Sequence, residues 1–159
     1  MNDVGVYERI GLSHALRSDS HTELLVIMYT AKVLSATAAN VLRRHGITEV
    51  QFNVLILLDR HCEGATSQSD LSRRMLVNRA NITGLVDRME RDGLVERVAK
   101  SGDRRVNLIQ ITSKGRKQLA AADLDYQKVV GRITADVSSS SARRAISQML
   151  SICDACENN

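Results

Sequence analysis

The chain has 159 residues, a net charge of +4 and 43% apolar residues, which is enough for one domain with a real core. Its three cysteines are odd in number and do not follow the spacing of a disulfide-stapled secreted module. The longest unbroken aliphatic runs, 24–28 and 54–58, are far too short to span a bilayer, and no leader of the secretory type opens the chain, so a cytoplasmic protein without membrane attachment is expected.

Residues 1–18 carry little beyond Val6, Ile10, Leu12 and Leu16, which fit a short helix or arm. Ser20, His21, Thr22 and Glu23 have the form of a capping box and predict the start of a long helix. In that helix Leu24, Ile27, Ala31, Leu34, Ala38 and Val41 recur at alternating spacings of three and four, a heptad seam whose alanines let another helix come close. It ends near His45 and Gly46, with Arg43 and Arg44 at its negative end. Thr48, Glu49, Val50 and Gln51 open a second helix with another capping box, and Val50, Val54, Leu57 and Leu58 form its apolar side. Residues 63–66 read as a loop.

The stretch 67–112 differs in character. Ser67 and Asp70 cap a short helix with Leu71 and Met75 on its inner side and Arg73 and Arg74 elsewhere. A second helix follows, with Asn78 as its candidate N-cap. Ile82, Leu85, Val86 and Met89 share one of its faces, and Gly93 is placed to stop it in a left-handed turn. The opposite face carries Ala80, Asn81, Thr83, Gly84, Asp87, Arg88 and Arg91, a mixture suited to base edges and phosphates in a major groove. The apolar period then changes to two on both sides of a loop containing Gly102, which predicts a hairpin. Arg104 and Arg105 lie at its tip, where a guanidinium can enter a minor groove. Short helix, second helix and charged hairpin in this order make a winged helix-turn-helix. Residues 73–117 hold twelve Lys/Arg against five Asp/Glu, a balance of +7, while the whole chain is only +4. The positive charge is therefore concentrated on the proposed reading head.

Beyond it, Thr112, Ser113, Lys114 and Gly115 start another long helix, in which Leu119, Ala122, Tyr126, Val129, Ile133 and Val137 step by threes and fours. Serines 138–141 break that pattern, and a last helix is expected to bury Ala142, Ile146, Met149, Cys153 and Cys156. Apolar seams at both ends of a small chain predict pairing with a second copy, which would set two recognition helices about 34 Å apart, one turn of DNA.

The segment GLVDRMERDGLVERVAKSGDRRVNLIQITSKG, with its D-R-R-x-x-x-x-x-x-T wing followed by S-K-G, resembles the core of the MarR (multiple antibiotic resistance regulator) family. The resemblance extends over roughly residues 20–155. It implies a mainly α fold with a small β-hairpin wing: dimerisation helices at 20–46 and 113–157, a DNA-binding lobe at 47–112, and all of 1–159 as one domain. It also implies a homodimer on a double-stranded, pseudo-palindromic operator, with release by a small phenolic or carboxylate effector. On this basis Asn78, Arg79, Asn81, Thr83, Gly84 and Arg88 are the recognition-helix candidates. Ser67, Ser69, Arg73 and Arg74 become phosphate contacts that position the protein and do not specify sequence. Carried over from the family's D-x-R wing, Arg105 becomes the minor-groove residue, Asp103 the residue that orients it or a neighbouring arginine, and Arg104 a phosphate contact. Many relatives carry a larger residue at position 84, so Gly84 marks either a close approach or a different base preference. His21, Tyr29, Arg44, His45 and Arg60 are the nearby effector candidates.

Other chemistries fit less well. Cys153 and Cys156 form a C-x-x-C, but no further ligand pair completes a zinc site, and both continue the apolar stripe of the last helix. Cys62 remains as a thiol candidate. Peroxide-sensing relatives in the family carry a cysteine near the start of the first long helix, and this chain has none there. A thiol- or metal-responsive regulator and a winged-helix protein-interaction module are the alternatives. No nucleophile elbow, phosphate loop or H-E-x-x-H is present, so neither enzymatic activity nor a cofactor is expected.

Overall fold

Ser18, Thr48, Ser67, Thr112 and Ser138 set the helix starts: each side-chain oxygen accepts from a backbone amide that would otherwise lack a partner. In the computed structural model, which describes residues 8–9, 11, 18–75, 79–100 and 103–158, the side chains of 79, 80, 100 and 103–106 lie outside the description. Helix α1 (Asp19–Arg43) is capped by Ser18, whose side chain accepts from the His21 amide at 3.3 Å. The cap thus lies two residues before the expected Ser20, because Ser18 has the extended backbone that lets its oxygen turn back onto the first turn. Thr48 caps α2 (Glu49–His61) in a complete box: the Gln51 amide donates to Thr48 Oγ1 at 3.2 Å, and the Thr48 amide donates to Gln51 Oε1 at 2.8 Å.

The chain divides into two compact units, Met1–Asp123 and Leu124–Asn159. In the first, residues 65–67, expected as loop and cap, form a strand, β1 (Ala65–Ser67), followed by α3 (Gln68–Arg74) and α4 (Arg79–Arg91). The wing is β2 (Val95–Lys100) and β3 (Asp103–Ile111). Strand β3 lies in the middle of the antiparallel sheet, pairing Thr66 with Ile109 on one side and Val95 with Ile111 on the other. Leu42, Leu55, Leu58, Leu71, Ile82, Met89, Leu94 and Ile109 are fully buried, so the core joins the end of α1 to α2, both reading-head helices and the sheet. All four apolar residues expected on the inner face of α4 are buried.

Helix α5 (Ser113–Ile133) starts at the expected place, with Thr112 Oγ1 accepting from the Gly115 amide at 2.9 Å. It contributes Leu119 and Ala122 to the first unit and stops before Val137, four residues short of the expected seam. In the second unit, Ser138 caps α6 (Ser139–Glu157), so the serine run both ends one helix and begins the next.

The end helices depart from expectation in burial. Helix α6 has no buried residue: Ile146 is 57% exposed, Leu150 is 58% exposed, and Cys153 and Cys156, expected inside, are exposed. On α1 only Ala38 and Leu42 are buried, while Leu24, Met28, Val33 and Leu34 are exposed. Among the described residues, nothing within its own unit covers either stripe. Helix α1 is also, by length and composition alone, apolar enough to cross a membrane, a property that the short aliphatic runs did not reveal.

Candidate nucleic-acid interface

The outward face of α4 is built by what its inward face must do. Burying Ile82, Leu85, Val86 and Met89 turns Asn81, Thr83, Asp87, Arg88 and Arg91 to the surface, and all five are exposed. Gly84 shares that surface. Among the described residues a Cβ there would meet only Arg88 Nη1, at an ordinary 3.5 Å, so none of them requires glycine at this position. Asn78 lies outside the described residues. Arg79 opens α4, but its side chain, like those of Asp103, Arg104 and Arg105 on β3, is outside the description.

Helix α3 frames the interface from one side. The Ser67 hydroxyl accepts from the Asp70 amide at 3.1 Å and donates to the Asp70 carboxylate at 2.8 Å, so its proton is already engaged. Ser69, Arg73 and Arg74 are exposed, and Arg73 pairs with Asp70. Gln68 was not singled out from the sequence. Its Nε2 donates to Thr83 Oγ1 at 2.6 Å, tying the first helix of the motif to the second. A glutamine one residue after an N-cap carries no sequence signal for that role.

The wing is joined to α4 by Arg97, also missed. Its guanidinium bridges Asp87 and Glu90, and its backbone amide donates to Glu90 Oε1 at 3.1 Å. The Asp87 hydrogen bond raises the Arg97 pKa; partial burial opposes this, and the charges of Glu90 and Asp87 add to it. Below the wing, Gly93 takes the expected left-handed conformation at φ +71°. Thr112 Oγ1 donates to its carbonyl at 2.7 Å, and Lys114 Nζ donates to the Asp92 carbonyl at 2.6 Å.

Thr48, Val50 and Gln51, at the start of α2, together with Asn81, Leu85 and Arg88 of α4, line a cavity of about 490 Å³. The effector candidates named from sequence do not meet there. His21 and Arg44 stand near opposite ends of α1, roughly 35 Å apart at 1.5 Å per residue, too far to share one small pocket in a single chain. Tyr29 is exposed between them, the His45 carbonyl accepts from Gln118, and Arg60 pairs with Asp123. Cys62 is half-buried, and among the described residues no group of three or more His, Cys, Asp or Glu could hold a metal ion.

Comparison with known proteins finds relatives among transcription regulators. The family model described as MarR family matches residues 47–106. Over 126 residues the chain is 33% identical to the transcriptional activatory protein BadR of Rhodopseudomonas palustris, covering 78% of this chain and 72% of that one. It is 30% identical over 95 residues to the homoprotocatechuate degradative operon repressor of Escherichia coli, covering 60% of this chain and 63% of that one. Among solved structures, the M. tuberculosis transcriptional regulator MOSR in complex with DNA superposes with a TM-score of 0.66 at 29% identity, covering 88% of this chain and 98% of that one.

Proposed function

The chain belongs to the MarR family of transcription regulators, and on that premise we propose that it binds a pseudo-palindromic operator as a cytoplasmic homodimer, represses the adjacent genes and is released by a small organic effector. The observation that carries this reading is the exposed row Asn81, Thr83, Arg88 and Arg91 on a helix whose other side is buried, within a segment of charge +7. Asn81 and Arg88 then reach bases or neighbouring phosphates, Arg73, Arg74 and Arg104 hold the backbone, and Arg105 enters the minor groove beside Asp103. Ser69 is a further phosphate contact, while Thr83 acts through the Gln68 hydrogen bond that ties α3 to α4, and Ser67 through the cap that starts α3.

The exposed stripes of α1 and α6 supply the dimer contact, since apolar patches of this extent on a small chain mark interaction surfaces. That reading also accounts for the apolarity of α1 without a membrane. For the effector, the cavity beside α4 suits a small organic anion, with Arg88 for the charge and Val50 and Leu85 for an apolar body. Repression is inferred from the Escherichia coli relative, named as a repressor; the Rhodopseudomonas palustris relative is named as an activator, so direction of control belongs in the test.

The decisive experiment is an anisotropy titration across a salt series against the intergenic DNA beside the protein's own coding region, followed by a reporter assay. Tight, salt-sensitive binding that survives competitor DNA is expected. Binding that any duplex competes away equally would point instead to a winged-helix interaction module.

A further inference from the structure

The recognition helix carries two carboxylates, and one faces the side on which DNA is read. At 3.6 residues per turn the buried stripe of α4 occupies one side, and Asp87 falls close to its opposite, beside Gly84 and Arg91. The Asp87 side chain is 57% exposed. An uncompensated carboxylate there would face the phosphates of a bound duplex and repel them. Helix α4 ends in Arg88 and Arg91 but interposes Asp87 and Glu90, so its own cationic field is largely cancelled within its last two turns.

Strand β2 supplies the missing charge. The Arg97 guanidinium spans both carboxylates, one nitrogen on Asp87 and the other on Glu90. Its side chain is only 26% exposed and both its forks are occupied, so it is poorly placed to serve as a phosphate contact itself. Anchoring the strand does not require it either, because the backbone amide of residue 97 already donates to Glu90.

We propose that Arg97 is a charge-masking residue: by neutralising Asp87 and Glu90 it lets the outward face of the recognition helix present net positive charge to the DNA backbone. Arg97 acts through Asp87, and the penalty for losing it resides in the carboxylate left bare. The inference rests on the DNA-binding reading above.

Phosphate attraction is independent of sequence, so a fluorescent mixed-sequence duplex at low salt is a sufficient probe, titrated with the full-length protein. Arg97→Gln is expected to weaken binding about tenfold, Asp87→Asn alone not to weaken it, and the Arg97→Gln/Asp87→Asn double variant to return to within about threefold of wild type. Thermal unfolding and light scattering of each variant separate these effects from loss of fold or assembly. A double variant as weak as Arg97→Gln, or an inert Arg97→Gln, overturns the proposal. If the unrescued variant also lowers the salt slope by about one, Arg97 is a direct phosphate contact instead. Should Arg97→Gln fail to fold, Arg97→Lys carries the test, since masking needs only a point charge and predicts near-wild-type binding, whereas a role for the planar fork predicts loss. Wild-type protein that binds no duplex would sink the regulator reading together with this one; wild-type binding with an inert Arg97 would sink this one alone.

Discussion

A Cβ on Gly115 would lie 2.2 Å from the carbonyl oxygen of Leu94, so the first turn of α5 rests directly on the backbone that leads into the wing. Only glycine permits that approach. Glycine in a helix ordinarily costs about 1 kcal/mol relative to alanine, and here the contact outweighs it. Gly115→Ala is expected to destabilise the protein by about 2 kcal/mol or more, because the clash is with backbone and cannot be relieved by a rotamer change. Urea unfolding measures this, and a variant as stable as wild type would show that α5 and the wing are not in close contact.

Gly84 gives the opposite expectation. With ordinary contact distance around its position, Gly84→Ala gains helix propensity and should raise stability by up to about 1 kcal/mol. If the position marks a close approach to DNA, operator affinity falls in the same variant. Unchanged affinity would assign Gly84 no part in binding.

Asn81→Ala should relax base preference by about 1–3 kcal/mol if the amide makes a bidentate contact. Binding measured against operator variants with single base changes reads this out. An equal loss on every sequence would make Asn81 a phosphate contact.

A wing arginine that contacts only DNA predicts a loss confined to binding. Arg105→Ala is expected to weaken operator binding by about 1–3 kcal/mol with the unfolding midpoint unchanged. Affinity unchanged at fixed salt would remove the wing tip from the mechanism.

Leu150→Glu places a charge on the exposed apolar stripe of α6. If that stripe pairs with a second copy, sedimentation should report a shift from dimer towards monomer, with operator affinity falling in parallel as the two heads lose their linkage. A variant that remains fully dimeric would move the interface elsewhere.

What the sequence determined by itself is everything carried by neighbours along the chain. The buried stripe of α4 is written in spacings of three and four, the Thr48 and Ser67 caps in residues three apart, and the turn at Gly93 in one glycine; all three were legible. Tertiary structure alone decided the contacts between residues far apart in the chain. Strand β1 has three residues and no periodicity of its own, and it exists only because β3 passes beside it. Gln68 meets Thr83, Arg97 meets Asp87, and Gly115 meets Leu94, each pair brought together by packing that no local pattern encodes. The seams of α1 and α6 were legible as apolar stripes, but their exposure was not. Periodicity shows which face is apolar, and only the arrangement of elements shows whether this chain covers it.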